Sequence, residues 1–169
     1  MKVLVAYGSK RGGTAGLAEM IGDELSAAGM QSEVIPARKT NGPEGFDVVV
    51  IAGALYAKRW HRDARWFTRR HAEALRKCPV YLVSSGPLDS SAPSGNIPPV
   101  KQVAEVMSKL SARGQCTFGG RLEPTATGFP ARAMAKNHSG DWRDRQHVHD
   151  WVLSVVADLA QGESSPRSP

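Results

Sequence analysis

Ser9, Lys10, Arg11, Gly12, Gly13 and Thr14 stand between an apolar run, Val3-Leu4-Val5-Ala6-Tyr7, and a helical pattern that begins near Thr14. Those residue types suit an anion. Ser9 and Thr14 offer hydroxyl donors, Gly12 and Gly13 let the backbone approach closely, and the free N–H groups of a helix start carry partial positive charge. A strand, a tight turn and a helix N-terminus would thus make a phosphate cradle. An ordinary glycine-rich βα turn has the same composition, and the loop alone leaves both readings open.

Residue spacing removes several kinds of nucleotide loop. Gly8 and Gly13 have the glycine spacing of a Walker A loop, but Thr14 follows Gly13 directly, with no lysine between them to reach terminal phosphates. A dinucleotide fingerprint needs Gly-x-Gly-x-x-Gly and an acidic residue after the second strand, where this chain runs into Pro36-Ala37-Arg38-Lys39. A phosphoacceptor domain would end strand one in carboxylates, and here Tyr7-Gly8-Ser9 stands instead. A monophosphate site is the functional reading left.

The elements that must position this loop follow from periodicity. Leu17, Ala18, Ile21, Leu25 and Ala28 recur at three and four over 14–28, and Gly29 follows as a stop. Short apolar or β-branched runs at 3–7, 32–35, 47–52, 79–84 and 115–118 alternate with helical patterns at about 62–77, 99–112 and 145–160. The runs Val48-Val49-Val50-Ile51 and Val80-Tyr81-Leu82-Val83 do not alternate, as expected for strands buried on both faces of a parallel sheet. Five strands alternating with helices predict a three-layer, doubly wound α/β domain with right-handed crossovers. In such a sheet the ligand lies beyond the strand C-termini, so loops 8–14, 53–61 and 84–90 should line one site. One domain over 1–161 and a disordered tail over 162–169 are expected.

The chain's 169 residues suffice for one real core. Cys78 and Cys116 lack zinc or redox spacing and read as reduced packing thiols. No segment has the roughly 20 apolar residues needed to span a bilayer, and the first apolar run is too short for a signal peptide. A soluble, cytoplasmic protein is expected. With 22 Lys+Arg against 16 Asp+Glu, the net charge of +6 and pI near 9.6 favour anionic partners.

All three loops resemble those of flavodoxin-like proteins, and more closely the flavodoxin-domain family that includes menaquinone-dependent protoporphyrinogen dehydrogenase. The run 3–14 looks like that family's FMN phosphate loop. Gly53-Ala54-Leu55-Tyr56-Ala57-Lys58-Arg59-Trp60-His61 is similar to its second flavin loop, and Ser84-Ser85-Gly86-Pro87-Leu88 to its third. Phe118-Gly119-Gly120-Arg121-Leu122 and Gly140-Asp141-Trp142-Arg143-Asp144 extend the resemblance to about residue 160. It implies strand order 2-1-3-4-5 and FMN as cofactor. Phosphate contacts would fall to Ser9, Lys10, Arg11, Gly12, Gly13 and Thr14, ring contacts to Ala54, Leu55, Tyr56, Ser84, Ser85, Gly86, Pro87 and Leu88, and stacking to Tyr56 or Trp60. Arg11 stands where flavodoxins usually carry a third hydroxyl, and Arg11 or Lys10 would replace it with charge.

Residues 58–77 carry eight basic side chains against Asp63 and Glu73. On one helix Arg62, Arg65, Arg69 and Arg76 would form a stripe opposite Phe67, Ala74 and Leu75. Such a stripe reads as a solvated face, or as a contact for an anion or the inner face of a membrane. Classical flavodoxin carriers are acidic and dock basic patches on their partners, which a positive rim would repel. The resemblance therefore implies an FMN-dependent oxidoreductase acting on an anionic substrate such as a porphyrinogen, with a quinone acceptor. A flavodoxin-type electron carrier and a cofactor-free interaction module are the alternatives, and no specific nucleic acid is expected. His138, His147 and His149 lack metal-site spacing, and Ser84-Ser85-Gly86 lacks the glycine of a nucleophile elbow, so chemistry would be borne by the flavin.

Overall fold

The computed structural model describes residues 1–10, 12–86, 97–122 and 140–164. Strands β1 (Lys2–Gly8), β2 (Gln31–Pro36), β3 (Val48–Tyr56), β5 (Val80–Ser85) and β6 (Gly114–Phe118) form a parallel sheet in the order β2-β1-β3-β5-β6. A two-residue strand, β4 (Arg59–Trp60), pairs antiparallel with the end of β3. Discounting β4, the order is the expected 2-1-3-4-5. The chain moves outward from β1 in one direction and from β3 in the other, so the switch point lies between those two strands.

Period-two alternation sorts each strand between two cores. Val3, Val5, Val48, Val50 and Val83 meet Leu17, Ile21 and Leu25 of α1 (Gly13–Ala27) and Val148, Val152 and Val155 of α5 (Arg145–Ser164). Leu4, Ala6, Val49, Ile51 and Leu82 meet Phe67 of α2 (Arg62–Arg70), Leu75 of α3 (Ala72–Leu75) and Val103 and Leu110 of α4 (Lys101–Leu110). Helices on both faces bury β1, β3 and β5, which explains their continuous apolar runs.

Three elements depart from expectation. The helix expected at 62–77 breaks at His71, whose φ of −109° and ψ of 20° leave the helical region. Its ring packs on Phe67 at 4.9 Å and on Trp66 at 6.2 Å, filling the bend. Helix α5 runs through Ser164, so 162–164 belong to it rather than to a tail, and 165–169 lie outside the described residues. Finally, β7 (Arg121–Leu122) and β8 (Gly140–Asp141) pair as an antiparallel ribbon that sequence periodicity is too short to reveal. Among the described residues no helix is long and apolar enough to cross a membrane.

Candidate functional site

Three loops leave adjacent strand ends. In the parallel register Gly8 lies beside Gly53, Gly53 beside Ser84, and Ala54 beside Ser85, so the segments after β1, β3 and β5 open along one edge at the switch point. Sequence spacing placed them there, and the structure brings them together.

The first loop is closed by Ser9, whose Oγ accepts the Gly12 N–H at 3.1 Å. That bond leaves the Ser9 O–H proton free to donate elsewhere. Gly12 takes φ +78°, a left-handed value that favours glycine, and starts α1 with no side chain capping it. An uncapped first turn leaves backbone donors pointing out of the helix, which is what an anion needs. Thr14 is buried in that turn, while Lys10 is exposed. Arg11 lies outside the described residues.

Gly13 has a reason that composition does not disclose. A Cβ there would stand 3.0 Å from the carbonyl oxygen of Arg121, because the β7–β8 ribbon crosses the start of α1. Arg143 continues the crossing: its guanidinium occupies the space a Cβ at Gly16 would need. Asp141 fixes that guanidinium, accepting from Nε at 2.8 Å and Nη2 at 2.5 Å, and is held below the usual carboxylate range by these hydrogen bonds. The ribbon and the turn after it thus set Arg121 and Arg143 beside the first loop, a contribution sequence reasoning missed. Gly16 within a helix was the available signal, since a mid-helix glycine costs about 1 kcal/mol unless something packs against it.

The second loop is a two-residue hairpin. Tyr56 pairs with Arg59 and Leu55 with Trp60, and the turn residues Ala57 and Lys58 take φ of 47° and 59°. Positive φ at both central positions marks a type I′ turn, usually built from Asn and Gly. Ala54 is 7% exposed, Leu55 and Tyr56 are half-buried, and Lys58 and Arg59 are exposed on the rim.

Trp60 requires a correction. Its indole is 1% exposed, and Nε1 donates to the Val83 carbonyl at 3.3 Å. Gly53 makes room, because a Cβ there would lie 2.5 Å from Nε1. The ring is therefore a wedge beneath β3 and β5, not a wall for stacking, while Tyr56 in the same hairpin stays half-buried.

His61 follows as the cap of α2, its Nδ1 accepting the Asp63 N–H at 3.2 Å. An accepting Nδ1 places the proton of the neutral ring on Nε2. Burial lowers the pKa of His61, assisted by Arg62, Lys10 and Arg38 and opposed by Asp63. A Cβ at Gly8 would stand 2.6 Å from Nδ1, so this ring adjoins the end of β1 where the first loop begins.

In the third loop Ser84 and Ser85 are buried and Gly86 takes φ +128°, its N–H donating to the Phe118 carbonyl at 2.9 Å. A Cβ on Gly86 would meet Leu55 at 3.5 Å, so loops two and three touch. Pro87 and Leu88 lie outside the described residues, as does His138. His147 packs on Phe118, with Nε2 3.6 Å from Cys116 Sγ, and His149 pairs with Glu24 at 2.8 Å. Burial pushes the Cys116 thiol up to about 11, and Cys78 is raised for the same reason.

A parallel sheet in this order, with an uncapped helix start at its switch point and two more loops closing on it, defines the flavodoxin class of α/β protein. The family model described as a flavodoxin domain matches residues 4–139, and the chain belongs to that family. Protoporphyrinogen IX dehydrogenase [quinone] of Escherichia coli (strain K12) is 28% identical over 86 residues, covering 50% of this chain and 48% of that protein. The chain thus spans about half the length of the curated relatives it matches. Among solved structures, a Streptococcus pneumonia TIGR4 flavodoxin has a TM-score of 0.62 at 14% identity, covering 94% of this chain and 99% of that one. An oxidised flavodoxin from Bacillus cereus has a TM-score of 0.58 at 13% identity, covering 93% of this chain and 98% of that one.

Proposed function

We propose that this chain is an FMN-dependent oxidoreductase that oxidises an anionic substrate, of which a porphyrinogen is the best candidate, with a quinone as acceptor. The observation that carries the reading is the uncapped N-terminus of α1 behind Ser9–Thr14, at the switch point and flanked by the hairpin and by Ser84–Gly86. The residues present fit a flavin mononucleotide. Ser9 and Thr14 hydroxyls and the first-turn amides of α1 would hold the phosphate, with Lys10 and Arg11 adding charge. Backbone groups of Ala54–Tyr56 and Ser84–Gly86, continuing into Pro87 and Leu88, would face the ring, and Tyr56 would flank it.

When bound, FMN supplies hydride and electron transfer, and the protein binds, orients and tunes it. This chain's own part is electrostatic. Lys58 and Arg59 on the hairpin give the rim a positive field that attracts an anionic substrate and stabilises negative charge on a reduced ring. A redox potential above those of acidic flavodoxins is expected. Basic residues of α2 extend the same field to a membrane surface, where a quinone is available. A one-electron carrier is the second reading, favoured by the likeness to flavodoxin structures.

An absorbance spectrum with FMN titration, wild type beside Thr14→Ala, tests the reading. A yellow protein that releases FMN on denaturation is expected, with affinity lowered about 5- to 150-fold in the variant, matching about 1–3 kcal/mol for a lost phosphate hydrogen bond. Colourless protein that takes up no FMN would refute it. Protoporphyrinogen oxidation with a quinone analogue, against reduction of a haem protein, then divides enzyme from carrier.

A further inference from the structure

A groove of about 280 Å³ lies between the α2–α3 arm and α4, on the outer face of the molecule. Arg65, Arg69 and Arg76 line one wall and Lys109 the other, while Glu105 is the one acidic residue lining it. Among the described residues none of these four cations is in an ion pair. Arg65 is the informative one: its Nε is buried and has no hydrogen-bond partner. A buried guanidinium N–H left unpaired is costly, and crowding further cations beside it adds repulsion.

Arg76 Nε donates to the Lys109 carbonyl at 2.8 Å, tying the two walls together with the cations still facing the groove. Thr68 donates its hydroxyl proton to the Arg65 carbonyl at 3.0 Å and, being neutral, brings Arg65 no counter-charge. Ala72, Val106 and Leu110 make part of the lining apolar, which strengthens any charge pair formed there. Guanidinium forks match the oxygens of a tetrahedral dianion, and the volume, at the small end for a ligand site, suits a phosphate group rather than a tetrapyrrole or a flavin.

We propose that this groove is a second anion site, which takes a phosphate-class dianion between α2–α3 and α4. It needs nothing at the N-terminus of α1 and stands whether or not the flavin reading does. The shared chemistry is a phosphate monoester or inorganic phosphate, presented either free in solution or on a lipid headgroup.

The test is titration of the ¹⁵N-labelled full chain with inorganic phosphate at constant ionic strength, following backbone amides and arginine Nε–H signals. Saturable shifts are expected at Arg65 Nε–H and around Gln102 and Lys109, with the same midpoint in wild type and in Thr14→Ala, where the α1 loop is weakened. Arg65→Gln should weaken binding about tenfold or more, as loss of a charge-assisted contact does. Arg69→Gln and Lys109→Gln, both at exposed positions, give the same readout should Arg65→Gln fail to fold. Arg70→Gln, whose guanidinium lies 5.6 Å from the Trp66 ring centre and does not line the groove, should change it less than twofold. Flotation with vesicles containing phosphatidic acid, against pure phosphatidylcholine, separates the sources: flotation lost in Arg69→Gln assigns a lipid headgroup, and saturable phosphate shifts without flotation assign the free ion. Shifts that rise linearly without saturating, or that persist unchanged in the groove variants, overturn the proposal.

Discussion

The hairpin that walls the candidate site is strained, and replacing Ala57-Lys58 by Asn-Gly should release that strain. Both residues hold positive φ, 47° and 59°, with a Cβ that crowds the following carbonyl. For L-residues a left-handed backbone costs about 1–2 kcal/mol each. Glycine at 58 removes its share but adds about 0.5–1 kcal/mol of unfolded-state entropy, and asparagine at 57 tolerates the conformation better than alanine. The net gain works out at about 1–1.5 kcal/mol, which for a domain of this size raises Tm by about 2–6 °C. Urea and thermal unfolding of FMN-free protein measure it, with Ala57→Asn alone as the control that keeps the Lys58 charge. An unchanged or lowered midpoint in the double variant would refute the strain. FMN affinity should hold to within about threefold, because the turn residues are not among those expected to face the ring; lost flavin binding alongside gained stability would mean that the strained shape itself serves the site.

Other consequences follow from the same neighbourhood. Gly53→Ala drives a Cβ against Trp60 and breaks its bond to Val83, so the urea midpoint should fall by the equivalent of about 2–4 kcal/mol; an unshifted midpoint would count against the wedge. Burial holds His61 and His71 below the ordinary 6.5. As pH falls through 6.5 the unfolded chain therefore takes up protons first, and stability full above that value declines below it. His61→Asn, which keeps an oxygen to cap α2, should flatten part of that slope between pH 8 and 5.5, and an identical slope in the variant would show that His61 does not titrate differently on folding. Iodoacetamide should alkylate Cys116 far more slowly than a free thiol at pH 8, because its pKa near 11 leaves little thiolate; labelling as fast as a model thiol would contradict that environment.

Much of this fold was legible because parallel sheets announce themselves. Val48–Ile51 and Val80–Val83 are apolar without alternation, and only a strand covered on both faces tolerates that. The three site loops were equally readable, since strand ends fix where a loop must emerge. Trp60 was misread because an aromatic residue near a loop satisfies either a ligand or a core, and the deciding fact is the absent Cβ at Gly53 on the opposite arm of the same hairpin, a clearance visible only once the hairpin is folded. The break at His71 was hidden by a basic stripe whose helical spacing continues across it. Arg65, Arg69 and Arg76 still reach one groove, while Arg62 points to solvent beside Asp63. The β7–β8 ribbon left almost no periodic trace, being two residues a side. Its signature was negative, in the glycines of α1 that a helix would not otherwise choose.

Those glycines bear on how the candidate site is built. A phosphate cradle built on backbone donors and the Ser9 and Thr14 hydroxyls would not depend on Lys10 or Arg11, whose substitution alters charge without removing it. What cannot change is the clearance on which the ribbon closes. Gly13 gives way to the Arg121 carbonyl and Gly16 to Arg143, and Asp141 locks that guanidinium in place. Two cationic residues are thereby held beside a helix end that is itself positive, and the carboxylate of Asp141 faces both, 2.5 Å from Arg143 Nη2 and 4.0 Å from Arg121 Nε. Glu19 adds its attraction to Arg143, so this small cluster carries charge of both signs. The ribbon therefore shapes the first loop by packing and by a paired charge cluster brought from residues more than a hundred positions away, and the case for an anion rests on the uncapped first turn of α1.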